Sequence, residues 1–305
     1  MSNKRARQTE SDDDDDDDEE EEEEEEEKEE EERSKRKQQS KSQPKKKSKG
    51  KEQKKSKTKH PTAIYQKIAE DLKEWPNFID MDDYQMEDIK STNGSYISLI
   101  SHGLKQDDSE EGKIDMIQAG ISEALLFLFE NWEMEDLDGF YSDVFYQLTQ
   151  GDGKNKHQLL YEDNPFPGLT RLFEHEEDEV VLDAIRSITN IVVAGYRTVS
   201  GNKPHPYFND MIKDGVVKDM YDLFNVSKDE AIKDQAAISI GIVYKAQEID
   251  DTEMKTEIID HLKSIVKETE KDEQILDNAK TALKSLSLNK ANNEEIKKND
   301  FAIPN

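Results

Sequence analysis

The sequence contains no cysteine among its 305 residues. This absence excludes disulfide frameworks, thiolate nucleophiles and zinc sites built on cysteine. Long apolar runs are also missing, and no stretch approaches the roughly 20 residues that span a bilayer. The opening segment "MSNKRARQTESDDDD" lacks the apolar core of a secretory signal. We therefore expect a soluble intracellular protein, located in the nucleus, the cytoplasm or both, with no membrane association.

The motifs of the common enzyme classes are missing as well. The stretch "GDGKNK", residues 151–156, has neither the spacing of a phosphate-binding loop nor a strand before it. The histidines are scattered without the paired spacing of metal ligands, and the carboxylates are too numerous for any pair to be informative. We predict a noncatalytic protein with no catalytic residue, no cofactor and no metal site.

Basic charge is scarce, with 43 Lys and Arg against 72 Asp and Glu and a formal net charge of −29. Residues 12–32 hold seven Asp, thirteen Glu and a single Lys, whereas residues 33–59 hold fourteen Lys or Arg and a single Glu. Neither run has enough apolar residues to offset the entropy of folding, so we expect residues 1–59 to be a disordered tail, acidic and then basic. The remainder, from His60 onward, carries a net charge of −25. Such a folded domain should repel DNA and attract basic partners.

An internal repeat predicts the fold. "MIQAGISEALLFLF", which ends at Phe129, matches "MIKDGVVKDMYDLF", which ends at Phe224. Weaker units end at Phe173 and Val266, so that the endings are 44, 51 and 42 residues apart. The longest interval contains "YRTVSGNKPHPY", which reads as a loop insertion. Gly120 and Gly215 lie at the break inside each unit, where a sharp turn between helices favours a residue that tolerates positive φ.

A period near 42 residues with three helices per unit is typical of armadillo repeats rather than HEAT repeats. We predict an all-α fold, a right-handed α-solenoid of four or five armadillo-type repeats over residues 60–290. Residues 62–103 are expected to form an irregular cap, and residues 291–305 a flexible C-terminal tail.

The helix around "DAIRSITNIVVAG" has two distinct faces. Val181, Ile185, Ile188 and Val192 form one apolar stripe, whereas Asp183, Arg186, Ser187 and Asn190 lie on the other side. In a solenoid, the third helix of each unit would line the concave surface with its second face. Arg186 and Asn190 are then an exposed pair that can hold an extended peptide, with Asp183 and Ser187 as neighbours. The amide can donate to and accept from a peptide backbone, and the guanidinium can pair with a carboxylate or stack on an aromatic ring.

"AIRSITNIVVAG" followed by "MIKDGVVKDMYDLF" resembles a central armadillo repeat of an importin alpha, the adaptor family that carries basic nuclear-localisation signals. In that family the third helices present Trp and Asn one turn apart, and one central repeat can have Arg in place of Trp, as Arg186 and Asn190 do here. The resemblance extends over about residues 116–288 and is close over 184–224. The same positions of the following third helices hold Ile238 and Ile242, then Thr281 and Ser285.

The resemblance implies a monomeric adaptor for nuclear import that binds an extended, basic peptide segment along an acidic concave face. It also implies an importin beta as a partner of the basic segment, residues 33–59. Three interpretations of the basic sequences stay open. "KRAR" (residues 4–7) and "KKKSK" (residues 45–49) could be localisation signals of the protein itself. The basic segment could instead fold onto the acidic solenoid as an intramolecular mask, or it could simply offset the charge of the neighbouring acidic run. The alternative function is that of a nuclear histone chaperone, which would bind basic proteins such as histones through residues 12–32.

Overall fold

The computed structural model of the protein describes residues 62–74 and 82–304. The predicted disordered tail, residues 1–59, lies outside these residues. The described part consists of α-helices and three short 3-10 segments, without a strand. The α-helices are α1 (Thr62–Lys73), α2 (Asp83–Gln106), α3 (Glu110–Gln118), α4 (Ile121–Asn131), α5 (Gly139–Thr149), α6 (Lys154–Glu162), α7 (Phe166–Arg171), α8 (Asp178–Tyr196), α9 (Phe208–Lys213), α10 (Val216–Val226), α11 (Glu230–Val243), α12 (Thr252–Ile265), α13 (Glu273–Ser287) and α14 (Lys290–Ile296). None of these helices combines the length and the apolar character that crossing a membrane requires.

The helices after α2 repeat in units. A short helix, a second helix and a longer third helix make up α3–α4–α5, then α6–α7–α8, then α9–α10–α11, and α12 with α13 forms a shorter last unit. The third helices pack side by side in the order α5, α8, α11 and α13. The predicted cap consists of α1, which packs on α4, and α2, which packs on α5. Because each unit buries its apolar face only against its neighbours, the core runs continuously from α1 to α14.

Two glycines make the turn inside their units. Gly120 and Gly215 have φ angles of 89° and 82° and precede α4 and α10, respectively. Only glycine adopts this left-handed conformation without a steric cost from Cβ. The predicted break between the first and second helix is therefore confirmed at both positions.

The apolar stripe predicted for α8 is confirmed. Val181, Ile185, Ile188 and Val192 are all buried, and the last three have no exposed side-chain surface. The predicted insertion after α8 is also present, since residues 197–207 contain no helix and connect α8 to α9. His205 of this loop lies near the end of α8, with its Nε2 2.9 Å from the carbonyl oxygen of Val192.

The C-terminal residues differ from the expected flexible tail over 291–305, because they begin with helix α14, which packs on α12 and α13. Asn292 is fully buried, donates from Nδ2 to the carbonyl of Gln247 at 2.8 Å and accepts at Oδ1 from the amide of Ile249 at 3.2 Å. It thereby satisfies two backbone groups of the loop between α11 and α12. Ile296 is also buried. The solenoid uses this short helix to cover its last unit.

Candidate functional site

The polar face of α8 lies against the preceding third helix, α5. Ser142 Oγ donates to Asp183 Oδ2 at 3.1 Å, and Asn190 Nδ2 donates to Thr149 Oγ1 at 2.9 Å. Between these two hydrogen bonds, the guanidinium of Arg186 lies 5.7 Å from the centre of the Tyr146 ring. Asp183, Arg186 and Asn190, three of the four residues predicted to bind a peptide, therefore form a row of contacts between two successive third helices.

This row corrects part of the sequence prediction. Asp183 and Ser187 are buried, with 6% and 0% of their surface exposed, and Ser187 Oγ donates to the carbonyl of Asp183 at 2.7 Å. Only Arg186 and Asn190 are partly exposed. The reason is geometric. A third helix is flanked by neighbouring helices on both sides, so less than half of its circumference stays exposed to solvent.

Burial changes the titration of Asp183. Its removal from water raises the pKa of the carboxyl to about 6, and the charge of Asp143 acts in the same direction. The hydrogen bond from Ser142 and the charge of Arg186 lower the pKa and offset only part of this effect. Asp183 is thus a structural carboxyl at the contact between the helices and is not available to a ligand as an exposed anion.

The next third helix, α11, offers no polar pair. Ile238 and Ile242, at the positions that follow the pattern of Arg186 and Asn190, are fully buried. On one side Thr189 and Ser239 hydrogen-bond through their hydroxyls at 2.8 Å. On the other side a Cβ added at Gly241 would lie 2.8 Å from that of Ala282, which shows how closely α13 approaches. Because most of α11 is buried between its neighbours, a groove on this surface would be bounded by α8 on one side and α13 on the other.

A cavity of about 590 Å³ lies between these two walls. Helix α8 contributes Asn190, Val193 and Ala194, and Arg197 follows the helix directly. The beginning of α13 and the residue before it contribute acidic and amide side chains. The carboxylates that line the cavity are those of Asp152, Asp272, Glu273 and Asp277, and the only lining cation is Arg197, which pairs with Asp152. The cavity is therefore acidic. Of the four residues predicted to bind a peptide, only Asn190 lines it.

The acidic residues of α13 were not predicted from the sequence. They belong to the solvent-exposed face of "DEQILDNAK", a common amphipathic pattern that carries no signal for a site. Asp272 also has a structural role, since its Oδ1 accepts from the backbone amides of Gln274 and Ile275 and caps the helix. Only the packing of α8 and α13 on the two sides of α11 brings these carboxylates into the cavity that Asn190 lines.

One cluster has the composition of a metal site. Potential ligand atoms of Glu230, Asp234 and His261 lie within 4.8 Å of one another. However, His261 Nε2 lies 2.9 Å from one oxygen of Asp234, and the ammonium of Lys271 lies 2.5 Å from the other. Because the lysine already supplies the positive charge that Asp234 needs, the cluster is satisfied as an ion-pair network between α11, α12 and the loop before α13.

Comparison with solved structures identifies the architecture. A designed armadillo repeat protein in complex with the peptide (KR)4 aligns with a TM-score of 0.52 and 15% identity, covering 77% of this chain and 87% of that chain. Another designed armadillo repeat protein aligns with a TM-score of 0.50, the same identity and the same coverage. The fold is an armadillo-type solenoid. No protein-family model and no curated protein sequence matches the chain.

In the armadillo arrangement, the acidic cavity lies between the third helix of the second unit and the third helix of the last unit. Solenoids of this type use the extended surface formed by equivalent helices of successive repeats for binding. The cavity therefore combines an appropriate place in the fold with four carboxylates and the partly exposed amide of Asn190.

Proposed function

We propose that this protein is a noncatalytic interaction scaffold that binds an extended basic segment of a partner protein along the acidic cavity. The observation that supports the proposal best is the lining of the cavity, with four carboxylates and a single guanidinium that already has a carboxylate partner. Lysine and arginine side chains of a peptide would pair with the carboxylates that remain, and Arg197 would limit how far along the cavity a cation can bind.

Asn190 supplies the second part of the recognition. Its Nδ2 uses one hydrogen in the bond to Thr149. A side-chain amide has two donor hydrogens and an acceptor oxygen, so one donor and the acceptor can pair with a peptide main chain. This contact is independent of the peptide sequence, whereas the carboxylates select for positive charge.

The fold-level likeness agrees with this chemistry. The designed armadillo repeat protein that aligns over most of the chain holds a peptide of alternating Lys and Arg. At 15% identity this likeness concerns the architecture, and the residues that would hold a peptide in this chain are argued from its own cavity.

The finer form of the proposal is an importin-alpha-like adaptor, in which the bound segment is a nuclear-localisation signal and an importin beta binds the basic residues 33–59. Arg186 and Asn190 support it through their spacing on α8. The guanidinium of Arg186 and the ring of Tyr146 lie close together, so they would offer a peptide one surface that is aromatic and positively charged. Localisation in the nucleus or cytoplasm stays a prediction, which fluorescence imaging of the tagged full chain tests.

The binding experiment uses the full chain and an eight-residue peptide of alternating Lys and Arg, titrated by calorimetry at about 150 mM salt. The double variant Glu273→Gln/Asp277→Asn removes two cavity carboxylates without touching the helix cap at Asp272. Its matched control is Glu135→Gln/Glu176→Gln, which removes the same charge at two exposed positions outside the cavity. We expect the cavity variant to weaken binding by about tenfold or more and the control to change it little.

The experiment also separates the alternative function. If both variants bind the peptide as the native chain does, and binding disappears at high salt, the acidic run at residues 12–32 is the binding element. That result would favour the histone-chaperone hypothesis and overturn the proposal that the cavity holds the peptide.

A further inference from the structure

A second cavity, of about 460 Å³, has the opposite charge to the first. Among the residues that the structure describes, its lining includes Arg197, Lys245 and Lys284 and no aspartate or glutamate. This is unusual in a chain with 72 acidic residues and a net charge of −29. The cavity lies between the insertion loop after α8 and the end of α13. Arg197 lines both this cavity and the acidic one.

Lys245 contributes a buried positive charge. It is 3% exposed, and its ammonium donates to the carbonyls of Gly201 and Lys203 at 2.7 and 2.8 Å. These bonds fix the insertion loop, but carbonyl oxygens do not neutralise a charge. No carboxylate lies within ion-pair distance of Lys245 among the residues that the structure describes. A buried ammonium without an anionic partner is costly, and an anion in the adjacent space would remove the cost.

Ser285 points to the same ligand independently. Its side chain is 1% exposed and lines the cavity, yet its hydroxyl has no hydrogen-bond partner in the described part of the chain. Buried hydroxyls are nearly always hydrogen-bonded, so an unpartnered one calls for a specific explanation. A bound oxygen anion would accept from this hydroxyl.

Lys284, the residue before Ser285, is an exposed lysine that also lines the cavity. It forms no ion pair with any acidic residue that the structure describes. With the buried Lys245, the exposed Lys284 and the unpartnered hydroxyl of Ser285 in one lining, the site supplies two cations in addition to Arg197. This surplus suits a dianion better than a single carboxylate.

We infer that this cavity is an oxyanion site that binds a phosphoryl group. Gly201 and Asn202, at the tip of the insertion loop, are the backbone positions that would contact the ligand. The inference does not depend on peptide binding by the acidic cavity, because apart from Arg197 it uses other residues and it involves a ligand of the opposite charge.

The test titrates the full chain with inorganic phosphate, with phosphoserine and with acetate, and follows backbone amide signals by nuclear magnetic resonance. We expect saturable shifts of Gly201 and Asn202 with phosphate, and weaker binding of acetate, a single carboxylate. Stronger binding of phosphoserine than of phosphate would identify a phosphorylated side chain as the source, and the reverse order would identify the free ion.

Two variants make the test specific. Lys284→Gln and Ser285→Ala should each weaken phosphate binding, the first by about tenfold. Lys280→Gln is the matched control, since it lies on α13 one turn away, removes the same charge and does not line the cavity. Ser285→Ala removes an unpartnered hydroxyl, so its thermal stability should equal or exceed that of the native chain.

Three results would overturn the inference. One is the absence of saturable shifts with both phosphate and phosphoserine. Another is an equal loss of binding in Lys280→Gln and Lys284→Gln, which would reduce the effect to general charge. The third is carbodiimide cross-linking of Lys284 to the chain's own acidic run, residues 12–32, that an excess of phosphate does not reduce.

Discussion

Asn190 donates a hydrogen bond to the hydroxyl of Thr149 at 2.9 Å and so connects the third helices of two successive armadillo units. The same asparagine lines the acidic cavity from α8. One side chain therefore serves both the packing of the solenoid and the surface that we propose for peptide binding. A substitution at this position has to be judged by stability and affinity together.

Asn190→Ala should lower the free energy of unfolding by about 1 kcal/mol, because Thr149 loses its partner across the helices. It should also weaken binding of the Lys/Arg peptide, since the amide that faces the peptide backbone is gone. Denaturant unfolding and calorimetry measure the two effects. Thr149→Val removes the hydrogen bond but keeps the amide, so it should reproduce the stability loss with a smaller loss of affinity. Unchanged peptide affinity in Asn190→Ala would contradict the proposed role of the amide.

Asp183 predicts a dependence of stability on pH. Its pKa rises from 3.8 to about 6 on folding, mainly because of burial. A carboxyl whose pKa is higher in the folded state binds more protons when folded, so its effect on stability is unfavourable at high pH. As the pH rises from about 4 to about 6, the native protein should lose about 2 to 3 kcal/mol through this group. Asp183→Asn is neutral at every pH, so the difference in unfolding free energy between variant and native protein should grow in favour of the variant over this range. Parallel pH profiles of the two proteins would show that Asp183 is not the group responsible.

Gly241 and Gly94 offer a matched pair of substitutions. A Cβ at Gly241 would lie 2.8 Å from the Cβ of Ala282 and 3.0 Å from Cδ1 of Leu262, whereas nothing lies within 4 Å of a Cβ at Gly94 in α2. Gly241→Ala should therefore destabilise the protein by roughly 1 to 3 kcal/mol, because α11 and α13 must move apart. Gly94→Ala should stabilise it by up to about 1 kcal/mol through helix propensity. Equal effects at the two positions, measured by denaturant unfolding, would contradict the close packing of α11 and α13.

The C-terminal helix provides a further prediction. Asn292→Ala removes one partner from the carbonyl of Gln247 and one from the amide of Ile249, both near the end of α11. We expect a loss of about 2 kcal/mol or more and faster hydrogen exchange in residues 247–250 and in α14. Asn293→Ala, at the neighbouring and more exposed position, is the control and should change either quantity little. Normal exchange protection in Asn292→Ala would show that α14 does not hold the last unit through this residue.

The helices and their turns followed from local patterns. The stripe from Val181 to Val192 repeats every three or four residues, and a helix with such a stripe must bury it. Gly120 and Gly215 occur at the same point of two matching units, where the backbone needs a positive φ. Both signals lie within one unit, so they can be recognised in the sequence without knowing how neighbouring units pack.

The candidate site depended on contacts between units and could be predicted only in part. Asp183 and Ser187 share a polar face with Arg186 and Asn190, yet packing buries the first two and leaves the other pair partly exposed. Asp277 and Lys284 lie on one exposed helix face, and only the position of α8 and its insertion loop gives each its own cavity.

The sequence by itself determined that the chain is helical, that its helices recur in units and which face of each helix is apolar, because these properties depend on residue type and spacing. The tertiary structure decided which polar residues remain accessible, that residues 234–243 of α11 are buried, and that residues 290–296 form a packed helix. These outcomes depend on the distance and angle between neighbouring units. Such distances are set by the packing of many side chains together, including the close approach at Gly241. They therefore cannot be predicted from any short stretch of sequence.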